Sequence, residues 1–412
     1  MHLGNKTLRT NLIVQGVGQF GGRLLSYVFF LYAARVLGSD EFGIFSFALS
    51  VGYLVCTLMD FGLDALCVKW VARGETERLF VLSSARIVTV VAGLSIIWTV
   101  SFFFDRSIRI PTMLLGVGFC FFSFLTFIYS YFRGIEKMVW EALLLFGQRA
   151  SLLVLGLSIF IVWKSAIAAS LAFSISLFLT FVVAFPILQK FVAEPLKRYL
   201  SFRKRDIADV LKEAYPLAMV GVLWVIYYRI DTIMLAGFTS MSEVGLYNGA
   251  YKMIEGLVLL PAVIMMATFP RLSQYGVEKG AAFHSFFRKL FLLLLFLALL
   301  VTCTMYYLAG PVFDLVLGEE YARSIGIFKV LLVAIIAIYP GNLVTQALIA
   351  LDAHKVYMYV ALVGAIVNIC LNLFLIPRYG AIGAAWATVF TEGVLTIACG
   401  TYVIGFLRKK QI

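Results

Sequence analysis

The sequence predicts an all-α membrane protein of about twelve transmembrane helices, arranged as two six-helix lobes related by a parallel internal repeat. The first observation is composition: 62% of the 412 residues are hydrophobic and 14% are charged, whereas soluble domains are roughly 45–50% apolar and about 25% charged. The second is a series of long apolar segments. The third is an internal repeat: the stretch Glu41–Ala48, early in the first half of the chain, recurs as Glu243–Ala250, early in the second half. Parallel repeats of this kind are common in transporters.

A transmembrane helix needs about 20 mostly apolar residues, because lipid offers the backbone no hydrogen-bond partners and the helix satisfies them internally. About twelve segments meet this criterion. Six precede the longest polar stretch and six follow it. They cover residues 11–34, 42–63, 79–104, 111–132, 142–163, 166–188, 214–238, 244–269, 286–308, 324–351, 356–376 and 381–407.

The polar stretch at residues 190–213 is short and basic, so we interpret it as a cytoplasmic linker between an N-terminal lobe, 1–189, and a C-terminal lobe, 214–412. Cytoplasmic loops retain Lys and Arg. With the N-terminus inside, 22 of the 34 basic residues fall on the inner side, 6 on the outer side and 6 within helices. Both termini of this multi-pass protein are therefore predicted on the inner side of the cytoplasmic membrane. The net charge of +12 reflects this topology and attraction to anionic lipid, and nucleic acid is not an expected partner.

The sequence carries no pattern typical of an enzyme or a metal site. The six cysteines are scattered through predicted spans without paired spacing, so neither a disulfide framework nor a metal site is predicted. Phosphate loops, zinc-binding helix motifs and nucleophile elbows do not occur. Polytopic polymerases need an outer loop for the active site, and no predicted outer loop exceeds about fifteen residues. We expect a protein that is not an enzyme and has no cofactor. A polymerase, or a scaffold of glycan assembly without transport activity, is the alternative.

Several motifs resemble one known family. Residues 33–38 (AARVLG), 42–48 (FGIFSFA) and 60–63 (DFGL) are similar to the opening helical hairpin of the polysaccharide transporter family, the Wzx-like flippases. Residues 228–235, 243–250 and 269–273 resemble its seventh and eighth helices. Residues 371–377 and 380–385 resemble its turn between the eleventh and twelfth helices. The family belongs to a superfamily that also contains multidrug and toxin extruders.

The resemblance implies a MATE-like fold whose two lobes face a central cavity. It also implies a flippase that moves polyprenyl-pyrophosphate-linked oligosaccharide units, such as those of O-antigen, across the cytoplasmic membrane by alternating access. Membrane lipid and other polysaccharide-assembly proteins are further expected partners. The main alternative is a multidrug cation antiporter of the same superfamily, and the excess of mid-membrane Arg and Lys over acids argues against it.

Gln15, Gln19 and Arg23 recur every fourth residue, which places them on one face of the first helix. Arg23 lies near the centre of its span. An arginine at this depth is costly, so it is expected to face a cavity or a partner instead of lipid. We predict a cavity role, and the alternative is a packed ion pair between helices.

Four charged residues lie at similar depth on the seventh and eighth predicted helices: Arg229, Asp231, Lys252 and Glu255. Their charges cancel, so mutual pairing that joins the two helices is as well supported as a role in binding or gating. Arg229 is the predicted contact for pyrophosphate, because its place in the repeat is opposite the first helix.

Two further acidic positions are candidates for coupling. Glu392 lies mid-span without a basic neighbour in sequence, which suits binding of H⁺ or Na⁺ or a hydrogen bond within the lobe. Asp60 and Asp64 share a helix face near the cytoplasmic side. For both residues we favour a structural contact with the loop at residues 69–78 over ion binding. Arg86, Arg149 and Lys329 lie close enough to span ends for their side chains to reach the membrane interface.

The remaining candidates are amide pairs spaced by four residues, which line the cavity or join helices, and Arg149, for which an extension of the cationic surface is the alternative to a position at the interface. The predicted substrate-binding residues are Gln15, Gln19, Arg23, Arg149, Arg229, Lys252, Asn342, Gln346, Asn368 and Asn372. The predicted coupling or gating residues are Asp231, Glu255, Glu392 and Asp60.

Overall fold

A computed structural model describes residues 5–192, 204–278 and 281–408, and within these ranges regular secondary structure is entirely helical. Short 3₁₀ turns occur at Thr76–Arg78 and Glu319–Tyr321. The α-helices are α1 (Asn5–Asp60), α2 (Leu63–Ala72), α3 (Leu79–Ser101), α4 (Arg106–Gly134), α5 (Met138–Val162), α6 (Ala166–Gln189), α7 (Lys204–Phe238), α8 (Met241–Glu278), α9 (Ala281–Val316), α10 (Ser324–Ala350) and α11 (His354–Arg408). The prediction of an all-α polytopic fold is confirmed.

Two of the helices are long enough to contain two membrane-spanning segments each. In the described residues, 10 helices are long and apolar enough to cross a membrane. The backbone of α1 leaves the helical conformation at Gly38 (φ 72°, ψ 176°), and that of α11 leaves it at Gly380 (φ 56°, ψ −135°). Residues with a Cβ atom are disfavoured at these positive φ values, and glycine is not. Division of α1 and α11 at these glycines yields the twelve segments that hydropathy predicts.

The chain forms two compact units. The first contains Met1–Leu37 and Ile44–Val225, and the second contains Gly38–Gly43 and Ile226–Ile412. Of the predicted linker, residues 193–203 lie outside the described residues, while Lys204 already belongs to α7. The predicted lobe boundaries at 189 and 214 stay a prediction.

In the first unit, α4 lies at the centre and packs against α2, α3, α5 and α6. Small residues bring the helices close together. A Cβ atom on Gly52 would lie 2.1 Å from the ring of Phe119, and one on Gly118 would lie 2.5 Å from Ser174 Oγ. The Phe119 ring also contacts Phe173 on α6, with 5.8 Å between centroids. Close packing of this kind joins membrane helices where the hydrophobic effect between them is weak.

In the second unit, α10 packs against α8, α9 and α11. The short segment Gly38–Gly43 is part of this unit and crosses the start of α8. A Cβ on Gly43 would lie 1.8 Å from the carbonyl oxygen of Met241, and one on Gly245 would lie 1.8 Å from that of Ser39. Gly43 and Gly245 occupy the same position in the repeated stretch, so the crossing of Gly38–Gly43 with the start of α8 is symmetric. Only glycine permits this approach of two backbones.

Candidate functional site

A cationic pair lies in the first unit, where α5 crosses α1. Gly22 makes the crossing possible, because a Cβ at this position would lie 2.9 Å from Cδ of Arg149. Arg23 follows Gly22, its side chain is exposed, and it is one of the titratable groups that face the half-buried Arg149. Two neighbouring guanidinium groups repel each other and offer several N–H donors to an anion. The structure thus brings together two of the predicted substrate-binding residues.

The side chains of Gln15 and Gln19 lie outside the residues whose side chains are described. Their place on the same face of α1 as Arg23 follows from helical periodicity alone. Their role in binding stays a prediction.

In the second unit, a group of charged residues joins α7 to α8. The Lys252 Nζ atom lies 2.6 Å from Oε2 of Glu255, and the Lys252 side chain is 12% exposed. Arg229 faces Lys252 from α7. Three of the four residues predicted as one group therefore lie together. Asp231, the fourth, belongs to a separate network.

Asp231 is buried at the junction of α7, α8 and α11. Its Oδ2 atom accepts hydrogen bonds from the hydroxyls of Tyr247 at 2.9 Å and Thr388 at 3.2 Å. Its Oδ1 atom accepts one from Nδ2 of Asn372 at 2.6 Å, and the same Nδ2 atom donates to Oδ1 of Asn368 at 3.0 Å. We name these five residues the Asp231 network. Sequence reasoning selected Asp231, Asn368 and Asn372 and missed Tyr247 and Thr388.

All of these hydrogen-bond partners of Asp231 are uncharged. One acceptor of the network, Oδ1 of Asn372, is buried and has no hydrogen-bond partner among the described residues. A buried polar atom without a partner calls for a physical explanation, such as a water molecule or an ion. A carboxylate held by neutral donors beside a spare oxygen acceptor is chemically suited to bind a proton or a monovalent cation.

Glu392 lies near the same helices and has one identified partner. The hydroxyl of Tyr227 donates a hydrogen bond of 2.5 Å to Oε1 of Glu392. This contact joins α7 to α11 inside the second unit. The predicted alternatives for Glu392, ion coupling and a hydrogen bond within the lobe, are both compatible with this arrangement, and its role in coupling stays a prediction.

The predicted pair on α10 is less informative. Nδ2 of Asn342 donates to the carbonyl oxygen of Ile338, at 2.9 Å, one turn earlier in its own helix. Gln346 lies one turn later and is half-buried. A hydrogen bond within the same helix gives no evidence that Asn342 contacts a ligand. The binding role of Asn342 and Gln346 therefore stays a prediction.

The prediction that Arg86 reaches the membrane interface is wrong, because its side chain is 1% exposed. Nη2 of Arg86 lies 3.0 Å from Oδ1 of Asp60 and also pairs with Asp64, and its Nη1 donates to Oγ of Ser123 at 2.9 Å. We name these four residues the Arg86 cluster. Asp60 and Asp64 thus pair with α3 instead of the loop at residues 69–78. A usable signal was present in the sequence, since Arg86 lies at helical spacing between buried Leu82 and Val90.

Comparison with known proteins agrees with this architecture. A model of the family described as polysaccharide biosynthesis protein matches residues 8–276, and a model named MatE matches residues 216–374. A probable low-salt glycan biosynthesis flippase of Haloferax volcanii, Agl15, is 22% identical over 412 residues, which cover 97% of this chain and 83% of the relative. A putative O-antigen transporter of Shigella dysenteriae is 24% identical over 270 residues, which cover 65% of this chain and 66% of the relative.

Among solved structures, the lipid II flippase MurJ in an inward closed conformation is similar with a TM-score of 0.78 and 16% identity, over 96% of this chain and 89% of that chain. At this identity the likeness establishes the fold. The match of the polysaccharide biosynthesis model extends over more than half of the chain. The resemblance found in the motifs is thereby confirmed, and the chain belongs to the polysaccharide biosynthesis protein family.

Proposed function

We propose that this chain is a flippase that moves polyprenyl-pyrophosphate-linked oligosaccharide units across the cytoplasmic membrane for the assembly of a surface polysaccharide. Family membership supports this function, as do relatives named as a glycan biosynthesis flippase and an O-antigen transporter. The proposed transport runs from the cytoplasmic to the outer leaflet, because the product is a surface polysaccharide.

The physical task is to carry a polar head group through an apolar barrier. Each hydroxyl that loses its hydrogen-bond partners in lipid costs roughly 2–7 kcal/mol, so a few sugars and a pyrophosphate face a barrier of tens of kcal/mol. The protein lowers this barrier if it offers positive charge and hydrogen-bond donors at mid-membrane depth, while the polyprenyl chain stays in the lipid.

The observation that carries the proposal is the cationic pair of Arg23 and Arg149 across Gly22. Two neighbouring guanidinium groups match the two phosphate groups of a pyrophosphate in charge and supply several N–H donors. Gln15 and Gln19, which share a face of α1 with Arg23 by helical periodicity, are the proposed partners of the sugars. Arg229 and Lys252 provide a second set of cations in the second unit, where Glu255 balances part of the charge.

Resetting of the transport cycle needs a source of free energy. We assign this role to the Asp231 network, with Glu392 as a second candidate and H⁺ or Na⁺ as the coupled cation. A carboxylate with neutral partners changes its local charge fully when a cation binds, and this change is available to bias the equilibrium between inward-open and outward-open states.

A multidrug cation antiporter is the second candidate, because the MatE model matches residues 216–374. The two functions differ in the charge of the ligand. A cationic drug would be repelled by adjacent arginines, whereas a pyrophosphate would be attracted. The cationic pair therefore favours the flippase.

The test is a leaflet-accessibility assay. Purified protein is reconstituted in liposomes with a lipid-pyrophosphate oligosaccharide, and a glycan-cleaving enzyme outside the vesicles reports how much substrate has crossed. Wild type should translocate the glycolipid. Arg23→Ala and Arg149→Ala should each reduce the rate by about tenfold to a hundredfold, since a hydrogen bond to a charged group contributes about 1.5–3 kcal/mol.

The matched control is Arg288→Ala, which removes an exposed arginine from α9 and should leave the rate unchanged. Full activity of both Arg23→Ala and Arg149→Ala would assign the pair a structural role and remove the main support for the proposal. Efflux of a cationic dye by wild type, without glycolipid translocation, would favour the antiporter.

A further inference from the structure

We propose that Glu141, together with Tyr129 and Arg133, forms a proton-binding site in the first unit, separate from the Asp231 network. Three buried polar atoms at the α4–α5 hairpin have no hydrogen-bond partner among the described residues: Oε2 of Glu141, the hydroxyl of Tyr129 and Nε of Arg133. Native proteins leave few buried polar atoms unpaired, so three on one hairpin indicate an occupant such as a water molecule.

Geometry supports a proton as the ligand. Glu141 is 6% exposed and Tyr129 is 3% exposed. Nε of Arg133 lies 3.5 Å from Oε1 of Glu141, and the pair does not form a hydrogen bond with good geometry. A water molecule in this space would accept from Arg133 and donate to the free oxygen of Glu141. The carboxylate is thus held by one loose ion pair, and a proton is the competing way to balance its charge.

Few other charged or titratable groups of the described residues face Glu141. Arg133 is the charged group that faces it from α4, and Tyr129 lies one turn earlier on the same helix. On α5 itself, Gln148 lies on the same buried face, two turns later. The helix α6, which packs against α5, contains no titratable side chain between Ala166 and Gln189. On α1, which crosses α5, Arg23 faces Arg149, two turns from Glu141. Asp64 also faces Arg133. Glu136 and Lys137, in the turn between α4 and α5, are exposed.

Protons have a route to the site from the end of the hairpin. The Arg133 side chain is 39% exposed while that of Glu141 is 7% exposed, so solvent reaches the residue that lies 3.5 Å from the buried carboxylate, and a hydronium ion approaches from this side. In the binding step a hydronium ion transfers its proton to Oε2 of Glu141, which leaves a water molecule and a neutral carboxylic acid. The distribution of Lys and Arg places this end of the hairpin on the cytoplasmic side.

The site also connects to the cationic pair. Glu141 and Arg149 are the charged groups that face the Tyr129 hydroxyl. They lie eight residues apart on α5, which is about 12 Å along the helix axis. At an effective dielectric constant of about 20, one unit charge at this distance changes the affinity for an anion by about tenfold. Proton binding at Glu141 would therefore strengthen pyrophosphate binding at Arg149, and this consequence rests on the proposed flippase function.

The site itself is tested by infrared titration of the full-length protein in lipid vesicles, without any glycolipid. The wild-type minus Glu141→Gln difference spectrum should contain the C=O stretching band of one protonated carboxyl group, which grows as the pH falls, while the bands of the other acids cancel. Glu136→Gln, the same substitution at an exposed position five residues earlier, should keep the band. A difference spectrum between wild type and Glu141→Gln that contains no titrating carboxyl band would overturn the proposal.

Two milder variants test the same site in case Glu141→Gln does not fold. Arg133→Gln removes the nearby cation, so the midpoint of the Glu141 band should move to higher pH by about one unit or more. Tyr129→Phe should move it in the same direction by less. A midpoint that stays fixed in both variants would contradict the assignment of these partners.

Coupling is measured separately as binding of a short-chain polyprenyl pyrophosphate at several pH values. In wild type the affinity should fall by about tenfold as the pH rises through the infrared midpoint. In Glu141→Gln the affinity should be high and independent of pH. If the Glu141 band titrates but the wild-type protein does not bind the pyrophosphate, the proton site is supported and the proposed flippase function is contradicted.

Discussion

Carboxylates are half-buried in the Arg86 cluster and buried in the Asp231 network, and the two units balance the negative charge in different ways. In the Arg86 cluster of the first unit, Asp60 and Asp64 share one buried guanidinium group. In the Asp231 network of the second unit, one carboxylate accepts hydrogen bonds from Tyr247, Thr388 and Asn372, which are uncharged. An ion pair holds its charge constant, whereas neutral donors leave the carboxylate free to gain a proton or a cation. The difference teaches that the partners of a carboxylate decide whether its charge is fixed in an ion pair or is free to change, as the proposed coupling role of Asp231 requires.

The largest effect is expected when the cation is removed from the Arg86 cluster. Arg86→Ala leaves two carboxylates in one site without their shared partner, so stability should fall by about 3–5 kcal/mol. The measurement is thermal unfolding of the purified protein in detergent. The control is Arg78→Ala, because Arg78 also pairs with an acid, Glu75, but its side chain is 55% exposed. That variant should lose less than about 1 kcal/mol, and equal losses in the two variants would show that burial does not decide the strength of the pair.

A smaller effect on stability is expected in the Asp231 network. Asp231→Asn places an amide among donor groups and should cost about 1–3 kcal/mol. It should also abolish stabilisation by the coupled cation, which in wild type grows with the logarithm of cation concentration. Thermal unfolding measures both effects. One series replaces KCl by NaCl at constant ionic strength, and a second series lowers the pH.

The matched control for Asp231→Asn is Tyr247→Phe, which removes one donor and keeps the carboxylate. It should lose about 1 kcal/mol and still respond to the cation. A wild-type protein whose stability is indifferent to Na⁺ and to pH would remove the contrast between the two clusters.

The smallest effect is expected for Asp64→Asn. The Arg86 cluster contains two acids and one base, so neutralisation of Asp64 leaves Arg86 paired one-to-one with Asp60. Stability should change by less than about 1 kcal/mol, measured in the same unfolding assay. A loss as large as that of Arg86→Ala would show that both carboxylates are needed to hold the guanidinium.

Much of the fold was predictable because lipid imposes a simple rule on sequence. Each span must be an apolar helix, and the spans were found as twelve segments. The sequence did not reveal that two pairs of segments continue through Gly38 and Gly380 as single bent elements, since a polar break can be a loop or a kink. Repetition of Glu41–Ala48 as Glu243–Ala250 was visible, whereas the contact between Gly43 and Met241 was not.

The candidate site was predictable only in part. Polar residues inside spans are rare enough to attract attention, so Arg23, Arg149 and Asp231 were selected from sequence alone. Their partners were not, because a hydrogen-bond partner of Asp231 such as Asn372 lies 141 residues away along the chain. Glu141 was overlooked because it lies in the first turn of α5, where an acid is ordinary. Its burial depends on how α4, α5 and α6 pack.

The sequence by itself determined that the chain is a polytopic membrane protein with an internal repeat and a family resemblance, because composition and periodicity act locally and are read along one helix at a time. Tertiary structure alone decided which charges are paired. Helix packing placed Arg86 between two acids, surrounded Asp231 with neutral donors and left Glu141 with a free oxygen. The reason is physical: the free energy of a buried charge depends on the atoms within a few ångströms, and those atoms come from helices far apart in the chain.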